Sequence, residues 1–372
     1  MNILFVGPYR QTDEWGRKSL SVLRALQQTN HTISSRPIFL SSDKRHTTKI
    51  EKSETISLDH YDVLIQFLLQ PYAIYHGHFT KRIGIFNAET IPHDIPYGEL
   101  ISELLMDEIW VDSNSINNGL SNILNKYQHN IKVVTTPPVL NINELIESKE
   151  INIRTPESGL QNRFLFYYIG DTIDEKGGFY ETCMAYLHTF TADDDVALVV
   201  GLEASSVNNE VSKIIENCRN LTKSIKPLSQ QATINIVLST NPTLTELERL
   251  AFHRDCDCMV CPSYGVGFNS TILESAVYGN TPIINKHSAC YEWFGNKGLW
   301  GVDSYLEFCT SQTPHPILYR FTGGEMWCKP IIKSLSSTMK EVYINKFERD
   351  KKKEESRGLR QYFETPSYEG IL

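Results

Sequence analysis

Short apolar runs alternate with helical patterns twice along this chain, and that alternation constrains its fold more than any other feature. In the first part the runs lie at 2–7 (NILFVG), about 32–40, 62–69 (DVLIQFLL), 82–87 (RIGIFN), 108–112 (EIWVD) and 131–135 (IKVVT). In the second they lie at 164–169 (FLFYYI), 196–201 (VALVVG), 233–238 (TINIVL), 257–261 (DCMVC) and 281–284 (TPII). Between them, "GRKSLSVLRALQQTN" carries Leu20, Val22, Leu23 and Leu26, and "YGELISELLM" carries Leu100, Ile101, Leu104 and Leu105. Both show helical spacing, and further helices are expected at 179–190 and 243–252. Apolar strands alternating with helices form parallel sheets covered on both faces. Two such sets predict an α/β protein of two Rossmann-like domains. Ligands in such sheets bind outside the carboxyl ends of the strands, so those ends are expected to meet at an interdomain cleft.

The polar stretch 141–162 (NINELIESKEINIRTPESGLQN) reads as the boundary. The expected division is an acceptor-side domain at 1–150, a nucleotide-sugar-binding domain at 151–345, and a charged helical tail at 346–372. From about Lys333 to Arg360 the chain, with "ERDKKKEESR", reads as a charged helix with a solvated face. The length of 372 residues suits two domains. A net charge of −8 argues against a nucleic-acid coat, because phosphate backbones call for a basic face. No apolar run is long enough to span a bilayer, and "MNILFVGPYR" reads as a first strand and not as a signal peptide. The eight cysteines show no paired framework, which points to a reducing, cytoplasmic setting. Cys256, Cys258 and Cys261 fit a buried strand better than a metal site.

One stretch concentrates the chemistry: "CPSYGVGFNSTILESAVYGNTPIIN", from Cys261 to Asn285. Gly265 and Gly267 permit a tight turn, and a helix then opens near Ser270 and Thr271. Helix N-termini favour anions, so open space for a phosphate is expected above this turn. Glu274 has two readings. It can accept hydrogen bonds from a ribose diol, or it can close a capping box with Thr271.

The order of strand, "PSYGVGF" and "LESAVYGNTPII" resembles the family 4 glycosyltransferases, retaining enzymes of the GT-B fold. Gly267, Phe268, Glu274, Ala276, Gly279, Thr281 and Pro282 match the signature, with Asn280 inserted. Val266 stands where the first acid is expected, and Asn269 replaces a glycine. The resemblance gives Glu274 the ribose role. "FLFYYIGDTIDEKGGFYETCMAYLHTF" resembles the start of the family's second domain. Gly170 ends the strand, Lys176 matches a lysine that contacts the donor diphosphate, and Asp171 stands where an arginine is usual.

The first half extends the likeness. In "NILFVGPYRQTDEWGRKSLSVLRAL", Gly7 follows the strand and Gly16 opens the helix; Tyr9, Arg10 and Trp15 are candidates for the acceptor side. In "IGIFNAETIPHDIPYGELISELLMDEIWVDSNSINNGL", Glu89 and Thr90 end a strand and face the cleft. Asp112, Ser113 and Asn114 are secondary candidates, Ser113 also as a helix cap. His76 and His78 read as surface histidines, and Lys286 as a lysine near the donor or on the surface.

The resemblance implies transfer of a sugar from a nucleotide-diphosphate donor, with retention and without a metal or other cofactor. Glu89 and Lys176 are the catalytic candidates. Gly170, Lys176, Gly265, Gly267, Phe268, Asn269, Ser270, Thr271 and Glu274 are the donor-binding set. The acceptor is a glycan, a lipid-linked saccharide or a protein. The changes at Val266 and Asp171 support a second reading, a non-catalytic GT-B nucleotide-sugar-binding protein or inactive subunit.

Overall fold

In the first half the strands are β1 (Asn2–Gly7), β2 (Thr32–Pro37), β3 (Val63–Phe67), β4 (Lys81–Ile85), β5 (Ile91–Pro92), β6 (Glu108–Val111) and β7 (Lys132–Thr135). The second half contributes β8 (Phe164–Ile169), β9 (Val196–Leu202), β10 (Thr233–Leu238), β11 (Cys258–Cys261), β12 (Ile283–Asn285), β13 (Trp300–Val302), β14 (Ser304–Phe308) and β15 (Glu325–Pro330). This computed structural model describes all residues except 12, 41–51, 70–71, 94, 96–99, 138, 141–150, 156–157, 171–174, 203–207, 239–244, 266, 310–324, 360–367 and 369–372. Asp171, Val266 and most of the expected boundary lie outside the described residues.

Two six-stranded sheets result, ordered β2-β1-β3-β4-β6-β7 and β10-β9-β8-β11-β12-β13. Every pairing in both is parallel. The central strands are buried on both faces: Ile3, Leu4 and Phe5 of β1 and Leu64 and Ile65 of β3 are fully covered. Each such side chain contributes about 1.5–3 kcal/mol over its exposed state. The first sheet's edge strands are more polar, with Thr32 and Lys132 exposed. In both sheets the order reverses beside the first strand, between β1 and β3 and between β8 and β11. These switch points are where α/β sheets bind ligands.

A third sheet is invisible in the alternation. It is antiparallel, in the order β14-β15-β5, and it joins the halves, because Pro92 and Ile91 pair with Glu325 and Met326. The described part of the 151–162 stretch folds onto the second half. Arg154 binds the Asp257 carboxylate at 2.6 Å, and the Ile153 amide donates to Asp255 Oδ2 at 2.8 Å.

The tail helix keeps a solvated face and also packs. Helix Lys346–Gly358 buries Lys352 and Ser356 against the second half. Ser356 Oγ donates to the carbonyls of Ala276 (2.9 Å) and Asn280 (3.0 Å). Beyond it, Tyr368 stacks on Trp110 of the first half, with centroids 5.3 Å apart and planes 6° from parallel. The expected 97–106 helix is described only as a short turn, Ile101–Leu104.

Candidate functional site between the halves

The second sheet's switch point opens into a cavity of about 170 Å³. Ile169 and Gly170 at the end of β8, and Cys261 and Ser263 at the end of β11, form its floor. Lys176 and Gly177 form one wall, and Gly265, Gly267, Phe268, Asn269 and Thr271 another. The first half closes the top with Glu14, Arg17 and Glu89. A pocket for a drug-sized ligand measures ~300–1,000 Å³. At this separation of the halves the described walls hold the cavity below that range.

The glycine turn packs on the first half's backbone. A Cβ at Gly267 would lie 2.5 Å from the carbonyl oxygen of Ala88, so only glycine lets the turn approach that strand end. Helix Ser270–Val277 follows. Its cap is not the expected Thr271–Glu274 box: Asn269 Oδ1 accepts from the amides of Thr271 (3.0 Å) and Ile272 (3.4 Å). The asparagine standing in a glycine's place is therefore an N-cap, a role worth ~1 kcal/mol.

The space above the helix start is already taken. Glu14 Oε1 accepts from the Ser270 amide at 2.5 Å, and Glu14 Oε2 accepts from the Ser270 hydroxyl at 2.7 Å. Glu14 opens helix Glu14–Gln27, whose cap Asp13 accepts from the Gly16 amide at 2.8 Å. One turn on, Arg17 holds the same carboxylate at 2.6 Å and donates to Ser270 Oγ (3.1 Å) and Thr271 Oγ1 (3.2 Å). Lys176 is likewise engaged across the cleft, in an ion pair with Glu89. Among the described residues the cavity thus carries two cations and two carboxylates, each carboxylate from the first half.

Glu274 lies elsewhere. It is buried beneath the helix in an ion pair with Arg249, with His253 Nε2 3.6 Å away. Burial, with the charges of Arg249 and Arg17, holds His253 well below the usual histidine range, so its imidazole is neutral. Its Nδ1 meets the Tyr167 hydroxyl at 2.7 Å. Tyr167 also donates to Ser275 (3.0 Å) and accepts from Asn280 (3.0 Å). Glu274 is thus one member of a buried polar cluster and is not on the cavity wall. The alternation of faces along a short helix does not reveal a partner on another helix, which is why the carboxylate read as an open ligand.

The acceptor-side candidates part company. Gly7 and Gly16 are packing positions; a Cβ on Gly16 would lie 2.1 Å from the Gln11 carbonyl oxygen. Tyr9 and Arg10 are buried and bind Glu54, at 3.0 and 2.6 Å. Trp15 and Thr90 are buried as well. None of these six lines the cavity, so the structure places them in the first half's interior and not at an acceptor surface. Glu89 alone of the first-half candidates reaches it.

Of the donor-side set, Gly170, Lys176, Gly265, Gly267, Phe268, Asn269 and Thr271 line the cavity, while Ser270 and Glu274 do not. Asp112 is tied to Lys18 in a buried pair with contacts of 2.5 and 2.6 Å. Ser113 caps helix Asn114–Lys126. Lys286 pairs with exposed Asp303 at 2.5 Å, and His76 and His78 are exposed. Cys256, Cys258 and Cys261 are buried thiols, and burial pushes that of Cys261 up to about 12.

Sequence reasoning missed Glu14 and Arg17. Asp13 marks where their helix starts, but not that both side chains meet Ser270 and Thr271 of the second half.

Comparison with known proteins places the fold. No family model and no curated protein matches the sequence. Solved structures do match. An α,α-trehalose 6-phosphate synthase from Burkholderia multivorans aligns at a TM-score of 0.61 and 12% identity, over 98% of this chain and 95% of that one. The E. coli trehalose-6-phosphate protein bound with UDP-2-fluoro glucose aligns at 0.59 and 9%, over 96% and 95%. A glycosyltransferase from Rickettsia africae aligns at 0.59 and 14%, over 98% and 94%. The fold is GT-B, the architecture of nucleotide-sugar glycosyltransferases. Among the described residues no helix is long and apolar enough to cross a membrane.

Proposed function

We propose that this protein is a glycosyltransferase that moves a sugar from a nucleoside-diphosphate donor to an acceptor hydroxyl, with retention at the anomeric carbon. One observation carries the reading: the cavity at the second sheet's switch point places Lys176 opposite Glu89, on a GT-B fold. Lys176 neutralises the departing diphosphate, since an ammonium held where negative charge develops stabilises the transition state. Charge neutralisation is assigned to side chains of the chain and not to a metal. When Lys176 turns to the donor, Glu89 is released to accept hydrogen bonds from the transferred sugar or the acceptor.

In the step itself the acceptor oxygen bonds to the anomeric carbon as the bond from that carbon to the phosphate oxygen breaks. The electron pair leaves with the diphosphate, and the acceptor's hydroxyl proton passes to the leaving oxygen on the same face. The eight buried thiols support a reducing, cytoplasmic setting. The acceptor is a glycan, a lipid-linked saccharide or a protein.

A second reading, a non-catalytic nucleotide-sugar-binding protein, is favoured by the burial of Glu274 on Arg249. A panel of nucleotide sugars separates the two. Release of nucleoside diphosphate supports the enzyme; raised thermal stability without release supports the binding protein. If no member of the panel does either, both readings fall.

A further inference from the structure

We infer that Arg17, from the first half, supplies the second cation of the diphosphate site, and that Glu14 occupies that site in its place until the donor arrives. The inference rests on the donor reading above. Among the described residues the second half brings one cation to the cavity, Lys176. Arg17 lines the same cavity from the opposite side and reaches across to the hydroxyls of Ser270 and Thr271. Its side chain is only 11% exposed, so its charge acts with little screening by water. A planar guanidinium matches the geometry of phosphoryl oxygens and, unlike an ammonium, can offer two parallel donors.

The present occupant shows what the site accepts. The Glu14 carboxylate takes a guanidinium, a main-chain amide and a hydroxyl, at 2.6, 2.5 and 2.7 Å. A phosphoryl group, also an oxyanion, accepts from the same three donors. The charge balance agrees. Among the described residues Arg17 and Lys176 are cancelled by Glu14 and Glu89; a diphosphate ester carries one negative charge on each phosphoryl group and replaces both carboxylates without leaving either cation unpaired. Glu14 is 26% exposed, which gives it a route to solvent when displaced. Arg17 and Glu14 share one turn of one helix, yet they must act on the donor with opposite sign.

That sign is the test. Inorganic pyrophosphate, UDP, GDP and ADP are titrated by calorimetry into the full chain and its variants, with circular dichroism as a check on folding. Arg17→Gln is expected to weaken binding by about tenfold or more, the loss of charge-assisted hydrogen bonds. Arg17→Lys is expected to recover part of that loss. Glu14→Gln is expected to tighten binding several-fold, because a neutral amide competes less for the same donors. Unchanged affinity in folded Arg17→Gln, or weaker binding in folded Glu14→Gln, overturns the inference while leaving the donor reading intact. If the unaltered chain binds none of the four probes, the donor reading fails and this one fails with it. If Arg17→Gln does not fold, Arg17→Lys and Glu14→Gln decide alone.

Discussion

Of the helices that begin at the cleft, two receive a carboxylate from the opposite half. At helix Ser270–Val277 the carboxylate is Glu14. At helix Asn114–Lys126 it is Glu292, whose oxygens accept from the amides of Asn114 (2.6 Å) and Ser115 (3.2 Å) and from the Ser115 hydroxyl (2.6 Å). The local chemistry is the same: an anion meets the positive end of a helix dipole. The surroundings differ. Glu14 lines the cavity beside Arg17 and Lys176, whereas Glu292 is exposed and lies outside it. One contact therefore competes with any anionic ligand, and the other only helps to hold the halves together. Trp293, next to Glu292, reinforces that second contact by donating to the Asp112 carbonyl at 2.9 Å.

The largest expected effect comes from a third carboxylate, inside the first of these helices. Glu274→Gln leaves Arg249 buried without its counter-ion and is expected to cost about 3–5 kcal/mol of stability. Urea denaturation measures it. A cost within experimental error, accompanied by selective loss of donor binding, would return Glu274 to the cavity and make this helix a ligand site along its length.

The next effect tests the same buried cluster through pH. Folded His253 is held neutral by burial and by Arg249 and Arg17, with Glu274, Tyr167 and Tyr278 also against it. Its folded pKa lies below the unfolded value of 6.5, so the unfolded chain takes up the proton first on acidification. The stability tied to the neutral imidazole is whole above pH 6.5 and falls below it, by up to about 1.4 kcal/mol per pH unit. Denaturation at pH 7.5 and 5.5 should show this slope in the unaltered chain and less of it in His253→Gln. Equal slopes would place the imidazole in contact with solvent.

The smallest effect sharpens the comparison of the two cross-cleft contacts. Glu292→Gln is expected to cost about 0.3–1 kcal/mol, the value of a charge at an exposed helix end, and more salt should reduce it. Pyrophosphate affinity should not change. A several-fold change there would mean that the two contacts move together and that neither is merely a latch.

The two main sheets were legible because strands buried on both faces announce themselves as apolar runs. The bridging sheet was not, because β5 is two residues long and its partner comes from the other half. The site was legible in part. Lys176, Glu89 and the glycine turn sit at strand ends, where topology alone directs them to the cleft. Glu14 and Arg17 acquire their roles only when the second half lies against them, and no local pattern encodes that approach. Tyr9 and Arg10 read as ligands for the converse reason: their partner Glu54 is remote in sequence, and its ion pair with Arg10 takes them into the interior.

Calorimetric titration of UDP, GDP and ADP into the full chain and into Lys176→Ala tests the central claim most directly. Binding of at least one diphosphate, weakened about tenfold or more when the ammonium is removed, is the expected result. Binding of none, or equal binding by folded Lys176→Ala, would contradict a diphosphate site in the cavity between the halves.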